Sequence, residues 1–286
     1  MLDFCAARRY KCGMKMVGKV VVVTGASMGI GEAIVLRFLR EGASVVLASR
    51  DLGRVEAARQ RAGAADRSVA DRTLAVACDV TVRAQIETLL AAAMERFGRV
   101  DVWVNNAGFG LIDSVERMDM AACRRMFDTN LFGAIECMQV VAPVLKRQRS
   151  GAIINVSSMA GLIAVPYMSA YGATKHALNC IGRAGRIELA PYGVHVNTVC
   201  PGFVDTDFGR NAVRGSESMR VEGMARRAIT PVRVADAVWD AYRFNRREVV
   251  VPWSGHVVVG LYRLLPAVFN WGMQRMLRRM DRAGKS

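Results

Sequence analysis

Long apolar runs, metal-ligand clusters and linker-like stretches are all missing from this sequence, and each absence narrows what the chain can be. No stretch of roughly eighteen uncharged apolar residues occurs, so no transmembrane helix is expected. The three histidines, His176, His195 and His256, are far apart and share no metal-ligand spacing, which removes metal-dependent hydrolysis. Seven cysteines (Cys5, Cys12, Cys78, Cys123, Cys137, Cys180 and Cys200) form no C-x-x-C pair, and several sit inside apolar runs, as reduced and mostly buried thiols do. With no Pro/Ser-rich linker and no internal repeat, the 286 residues read as one large domain.

Acidic residues are outnumbered, 25 against 40 basic ones, for a formal charge of +15. The arginines are spread over many predicted helices, and neither an aromatic-basic RNA motif nor a helix-turn-helix accompanies them, so nucleic acid is not an expected partner. Solvated helix faces account for most of the excess, which also favours acidic ligands or an anionic membrane surface. Residues 1–18 read as a tail: Arg8, Arg9, Lys11 and Lys15 lie there without an apolar stretch long enough for a signal-peptide core, so a cytoplasmic location is expected.

What is present is alternation. Short β-branched runs at Val20–Thr24, Ser44–Ser49, Leu74–Cys78, Val100–Asn105, Ala152–Val156, His195–Val199 and Glu248–Val251 alternate with helical patterns near Gly31–Glu41, Gly53–Ala64, Arg83–Arg96, Asp119–Arg147, Ser169–Ala190 and Val234–Tyr242. Repeated βαβ units of this kind build a parallel sheet, and strands so continuously apolar require cover on both faces. The expected fold is therefore a single α/β domain over residues 19–252, a doubly wound Rossmann-type sheet of about seven strands.

Directly after the first strand stands Thr24-Gly25-Ala26-Ser27-Met28-Gly29-Ile30-Gly31, with a helix beginning at its end. Glycines there permit a tight turn and close backbone approach, and the helix N-terminus offers free N–H groups to a pyrophosphate. The spacing is T-G-x-x-x-G-x-G, and at this point the chain resembles the short-chain dehydrogenase/reductase family. The other motifs follow in the family's order: Cys78-Asp79-Val80, Asn105-Asn106-Ala107-Gly108, Asn130, Ser158, Tyr171-Gly172-Ala173-Thr174-Lys175, and Pro201-Gly202-Phe203-Val204-Asp205-Thr206. Tyr171 and Lys175, four apart, share one helix face. Of the adjacent Ser157 and Ser158, the family's spacing to the tyrosine selects Ser158, which leaves Ser157 to bond locally at the strand end.

That resemblance implies an NADP(H)-dependent carbonyl–alcohol oxidoreductase with a catalytic set of Asn130, Ser158, Tyr171 and Lys175. Tyr171 exchanges the proton, Lys175 holds the nicotinamide ribose and lowers the tyrosine pKa, Ser158 orients the substrate oxygen, and Asn130 positions a water. Thr24, Gly25, Ser27, Met28, Gly29, Ile30, Gly31, Asp79, Val80, Asn106, Ala107, Gly108, Pro201, Gly202, Val204 and Thr206 belong by the same token to the cofactor site. Ser49 and Arg50 end the second strand where an NAD enzyme carries an acid, and a guanidinium there suits a 2′-phosphate, so NADP is favoured over NAD. A catalytically silent NADP-binding sensor or scaffold is the other class of function. The family implies a homodimer or homotetramer, a variable substrate lid at about 208–227, and a small-molecule substrate, here hydrophobic to judge from the apolar C-terminal region.

The extension 253–286 opens with the apolar run Val257–Leu265 and continues past Pro266 as an amphipathic basic helix. Phe269, Met273, Met276, Leu277 and Met280 fall on one side, Arg275, Arg278, Arg279 and Arg282 on the other. Two readings stand: the methionine-rich face covers the cleft or a sister subunit, or it dips into a membrane whose anionic headgroups meet the arginines.

Overall fold

The computed structural model describes residues 16–64, 68–215 and 228–283. The elements in chain order are β1 (Val20–Thr24), α1 (Gly29–Arg40), β2 (Ser44–Ser49), α2 (Leu52–Ala64), α3 (Ser68–Asp71), β3 (Thr73–Ala77), α4 (Arg83–Phe97), β4 (Val102–Asn105), β5 (Leu111–Ile112), α5 (Met120–Phe127), α6 (Gly133–Gln148), β6 (Gly151–Val156), α7 (Ser169–Leu189), β7 (Val194–Pro201), α8 (Phe208–Asn211), β8 (Val213–Arg214), α9 (Pro231–Arg243), β9 (Glu248–Val251), α10 (Gly255–Leu264) and α11 (Pro266–Ala283).

Seven strands form one sheet in the order β3-β2-β1-β4-β6-β7-β9, every pair parallel. The order reverses between β1 and β4, so the loops after these two strands diverge and leave a crevice at their carboxyl ends, where ligands of such sheets bind. Strand alternation divides the core. Val21, Val23, Val45 and Leu47 meet Ile34, Phe38, Val55, Val238 and Trp239 of α1, α2 and α9. The intervening Val20, Val22, Val46 and Trp103 meet Ile86, Leu89, Cys137, Val141 and Leu145 of α4 and α6. Burial on both faces is why these strands read as unbroken apolar runs.

The seven strands appear where the sequence places them, with ends shifted by a residue or two. Three departures have physical content. The helix expected over Asp119–Arg147 is split by a π-turn at Asp128–Phe132 that contains Asn130. A single wider turn of five residues is too short to register in an apolar periodicity read over several turns. Met16, expected in the tail, is buried against α1 and β2, its N–H donating to Glu41 O at 2.9 Å. A small second sheet, parallel β5 and β8, fastens the start of the expected lid to the body; residues 216–227 of that lid lie outside the described residues.

Pro266 has no N–H to donate and ends α10. The two C-terminal helices meet through Tyr262 and Phe269, edge to face with centroids 5.1 Å apart. Phe269 and Met273 pack with Leu162, Ile163 and Val250 of the body and with Val259 of α10. The side of α11 that carries Phe269 and Met273, with Met276 and Leu277 half-buried on it, therefore points inward; the Met280 side chain lies outside the described residues.

Candidate active site

The glycine turn is held open by side chains from the next strand end. Thr24 is buried; its hydroxyl donates to Val104 O (3.2 Å) and accepts from the N–H groups of Asn106 (3.1 Å) and Ala107 (3.2 Å). Asn106 Nδ2 returns bonds to Thr24 O (2.9 Å) and Gly25 O (3.0 Å). A Cβ at Gly31 would stand 2.1 Å from Gly25 O, so helix and loop approach as closely as they do only because no side chain intervenes. Met28 begins α1 without a side-chain cap, which leaves its first N–H groups facing the crevice beside the turn formed by Gly25, Ala26 and Ser27. The methyl of Thr206 closes over Gly29, and Thr206 Oγ1 accepts from Phe208 N at 3.2 Å. Pro201, Gly202 and Val204 are thus brought to the same rim, Gly202 anchored by its N–H to Val251 O at 2.7 Å and Val204 bridged to Ile229.

Farther along the crevice, Asp79 closes β3 with its carboxylate held by the N–H (2.9 Å) and hydroxyl (2.8 Å) of Thr81, and Val80 is buried against Gly133. At the end of β2 the Ser49 hydroxyl donates to Asp51 O at 3.0 Å. Asp51 itself accepts from Arg54 N (3.0 Å) and pairs with the Arg54 guanidinium (3.4 Å). Arg50 is exposed and has no polar partner among the described residues. One cation absent from the sequence reasoning also reaches this corner: Arg61 of α2 donates to Ser27 O (3.2 Å) and pairs with Glu32 (2.7 Å).

All four polar residues expected to catalyse lie around one point. Lys175 is buried and donates to Val156 O at 3.1 Å, with its Nζ 5.8 Å from the Tyr171 ring centroid. A Cβ at Gly108 would sit 2.9 Å from Asn130 Oδ1 and 3.8 Å from Lys175 Nζ, so Gly108 leaves open the space between them. Asn130 is buried, its side chain tied at both ends to Phe109, Nδ2 donating to the carbonyl (2.8 Å) and Oδ1 accepting from the N–H (3.0 Å). Ser158 accepts from Ala160 N at 3.1 Å and donates to Pro201 O at 3.5 Å, its hydroxyl near enough to the Tyr171 phenol to influence its ionisation. Ser157 reaches across to the helix instead, donating to Lys175 O at 3.4 Å, a bridge rather than a local strand-end bond. His176 is on the outer face of α7 with Nδ1 2.9 Å from Gly172 O, away from the catalytic group.

Electrostatics here depart from expectation. Burial pushes Tyr171 up to about 12, the neighbouring Ser158 hydroxyl opposing it only in part. Burial likewise pulls Lys175 down to about 8. The anticipated lowering of the phenol by an adjacent ammonium is thus not found: desolvation disfavours the charged form of both groups.

The cover over Tyr171 is apolar. Phe208 stands edge-on to the tyrosine ring, and Phe109, Leu111, Met168, Phe203 and Ala212 complete the surround. The residues present fit a dinucleotide: a glycine cradle that a Cβ would fill, an uncapped helix N-terminus for phosphate, and a buried lysine with N–H groups to spare.

The short chain dehydrogenase family model matches residues 19–217. An uncharacterized oxidoreductase of Staphylococcus epidermidis is 37% identical over 201 residues, covering 68% of this chain and 84% of that one. A short chain dehydrogenase/reductase from Burkholderia phymatum, solved in complex with NAD, superposes with TM-score 0.78 at 27% identity, over 87% of this chain and 94% of that chain. An alcohol dehydrogenase from Thermococcus sibiricus, solved with 5-hydroxy-NADP, gives TM-score 0.71 at 29% identity, over 82% and 95% respectively.

Proposed function

This chain belongs to the short-chain dehydrogenase family of oxidoreductases, and from that premise we propose that it interconverts an apolar ketone or aldehyde and the corresponding alcohol, using NADP(H). The observation that carries this reading is the buried Tyr171 phenol, one helical turn from buried Lys175, influenced by the nearby Ser158 hydroxyl and roofed by apolar side chains. A bound nicotinamide would supply the hydride in reduction and accept it in oxidation. Tyr171, neutral at physiological pH, keeps a proton to give to the carbonyl oxygen as the carbonyl carbon becomes a C–H centre, and the Ser158 hydroxyl orients that oxygen. Lys175 keeps a proton below about pH 8 and is a buried reserve from which the phenolate is recharged. Asn130 fixes the Phe109 backbone beside Lys175, and its π-turn is the site from which a water would be positioned.

NADP over NAD is supported by what the two charges after Ser49 are doing. Asp51 is committed to the first turn of α2 and to Arg54, while the Arg50 guanidinium is uncommitted and suits a 2′-phosphate. Assembly into two or four copies belongs to the same reading and is checked by sedimentation velocity. The test of function is NADPH and NADH consumption with a panel of apolar carbonyls, for the wild type and Tyr171→Phe. Turnover by the wild type with loss of at least about a thousandfold in the variant, cofactor affinity being kept, is expected where a sole proton donor is removed. Comparable turnover by the variant would overturn the role of Tyr171. Tight NADPH binding without turnover of any carbonyl would identify a cofactor sensor instead.

A further inference from the structure

The outer surface of the two C-terminal helices is apolar where a water-facing surface is ordinarily polar. Along α10, Gly255, Val259 and Tyr262 face the body, at i, i+4 and i+7. Val257, Leu261 and Leu264 repeat the same spacing on the opposite side, flanked by Val258 and Leu265, and all five are exposed, Leu264 to 80%. The strip Val257, Leu261 and Leu264 is thus apolar from one end of α10 to the other, with the exposed His256 and Arg263 confined to one flank. The patch continues across Pro266 into exposed Val268 and Trp271 and includes Trp253 just before α10, the two tryptophans being 61% and 75% exposed. Contiguous exposed aliphatic surface of this kind marks a contact site.

Charge selects the occupant. From Trp253 to Ser286 the sequence carries five arginines and one lysine against a single aspartate. Arg275, Arg278 and Arg279 are exposed on the outer side of α11, and the Arg275 guanidinium lies over the Trp271 ring at 5.3 Å. A second copy of the chain docked on this face by two-fold symmetry would bring a second set of the same cations to the interface, with a single aspartate in the segment to offset them. An anionic lipid surface offers the complement: acyl boundary for the aliphatics, headgroup level for tryptophan, phosphate and carboxylate for arginine. Among the described residues no helix is long and apolar enough to cross a membrane. With ten residues, α10 rises only about 15 Å, half a hydrocarbon core.

We propose that α10 and the first turns of α11 form a monotopic docking surface for an anionic lipid bilayer, lying in the plane of the interface with Val257, Leu261, Leu264, Leu265, Val268 and Trp271 inserted. The inserted side is opposite to the methionine-rich face, which the fold has already used against the body. None of the inserted residues is among those placed in the active site, so docking is tested separately from the reaction the site performs.

The experiment is co-sedimentation of the full chain with phosphatidylcholine vesicles, with and without phosphatidylserine, at low and high salt. Alongside it run Leu261→Glu/Leu264→Glu and Arg275→Ala/Arg278→Ala/Arg279→Ala, with NADPH binding and light scattering to establish fold and oligomeric state. All substituted side chains are exposed, so the variants retain the fold. The wild type is expected to bind the phosphatidylserine vesicles, more weakly at high salt, with a loss of about tenfold or more in each variant. Failure of the wild type to bind, or equal binding by the glutamate variant, overturns the proposal. A glutamate variant that changes the oligomeric state and leaves vesicle binding as it was assigns the face to a second copy and overturns it equally.

Discussion

Phe208 stands edge-on to Tyr171, ring centroids 5.6 Å apart and planes at 61°, so the proposed proton donor is roofed by an aromatic side chain from α8. That roof is fastened at both ends, by Thr206 Oγ1 accepting the Phe208 N–H and by the β5–β8 pairing just beyond α8. Phe208→Ala removes the ring and admits water to the phenol. For a bulky apolar carbonyl the KM is expected to rise about tenfold, near 1.4 kcal/mol, with a small carbonyl little affected. Because burial is what holds Tyr171 near 12, its ionisation in the pH profile of alcohol oxidation moves to lower pH. Steady-state kinetics across pH check both; an unshifted profile would remove Phe208 from the role of cover.

Lys175 makes a second prediction through stability. Its amine titrates near 8 in the folded chain and at its ordinary higher value when unfolded, so between these pH values the unfolded state binds more protons. Stability therefore rises with pH through this window, and below it the cost of burying the ammonium is fully present. Relative to Lys175→Met, the wild type is expected to gain on the order of 3 kcal/mol between neutrality and about pH 10.5. Comparing denaturant midpoints of the two proteins over this range isolates the lysine, since Tyr171 and the remaining groups are common to both. Parallel profiles would mean that the amine is solvated.

How much of this was legible in the sequence depends on how far apart the interacting residues lie. The glycine turn and the Tyr171–Lys175 pair are local: their spacing alone sets which atoms share a face, and the structure places them accordingly. Phe208 over Tyr171 and Arg61 at Ser27 join distant segments, and no periodicity encodes such contacts. The phenol's raised pKa was missed for a related reason, because charge proximity can be read from spacing and burial cannot. In the extension, the apolar run Val257–Leu265 was visible, but not that half of it faces outward; that follows only from the packing of Val259 and Tyr262 on the body.

Cofactor choice gives the third prediction. Arg50 has no polar partner among the described residues, and Asp51 is already engaged by α2 and Arg54. Arg50→Ala is expected to weaken NADPH binding by about 1.5–3 kcal/mol, the worth of a charge-assisted phosphate contact, and to leave NADH nearly unchanged. Fluorescence titration with each cofactor measures the difference. Equal weakening of both would make Arg50 structural and turn attention to Arg54 and Arg61.

The last prediction concerns the approach of α1 to the glycine turn. At Gly31 an added methyl would meet Gly25 O at 2.1 Å and Asn106 Nδ2 at 2.7 Å. Backbone cannot yield there without cost, since Asn106 Nδ2 holds Thr24 O and Gly25 O at the same time and Thr24 is tied through its hydroxyl to β4. Gly31→Ala must then push the helix away from the loop or break the Asn106 bonds. Forcing a methyl into a packed site costs about 1–3 kcal/mol, and leaving the two carbonyls unpaired would add to that. The helix N-terminus would be displaced from the loop whose N–H groups complete the phosphate cradle, so both nicotinamide cofactors are expected to bind at least about tenfold more weakly. Denaturant unfolding reads the first effect and cofactor titration the second. A variant with wild-type stability and wild-type affinity for both cofactors would show that the turn relaxes freely and that the close approach at Gly31 has no part in holding the dinucleotide.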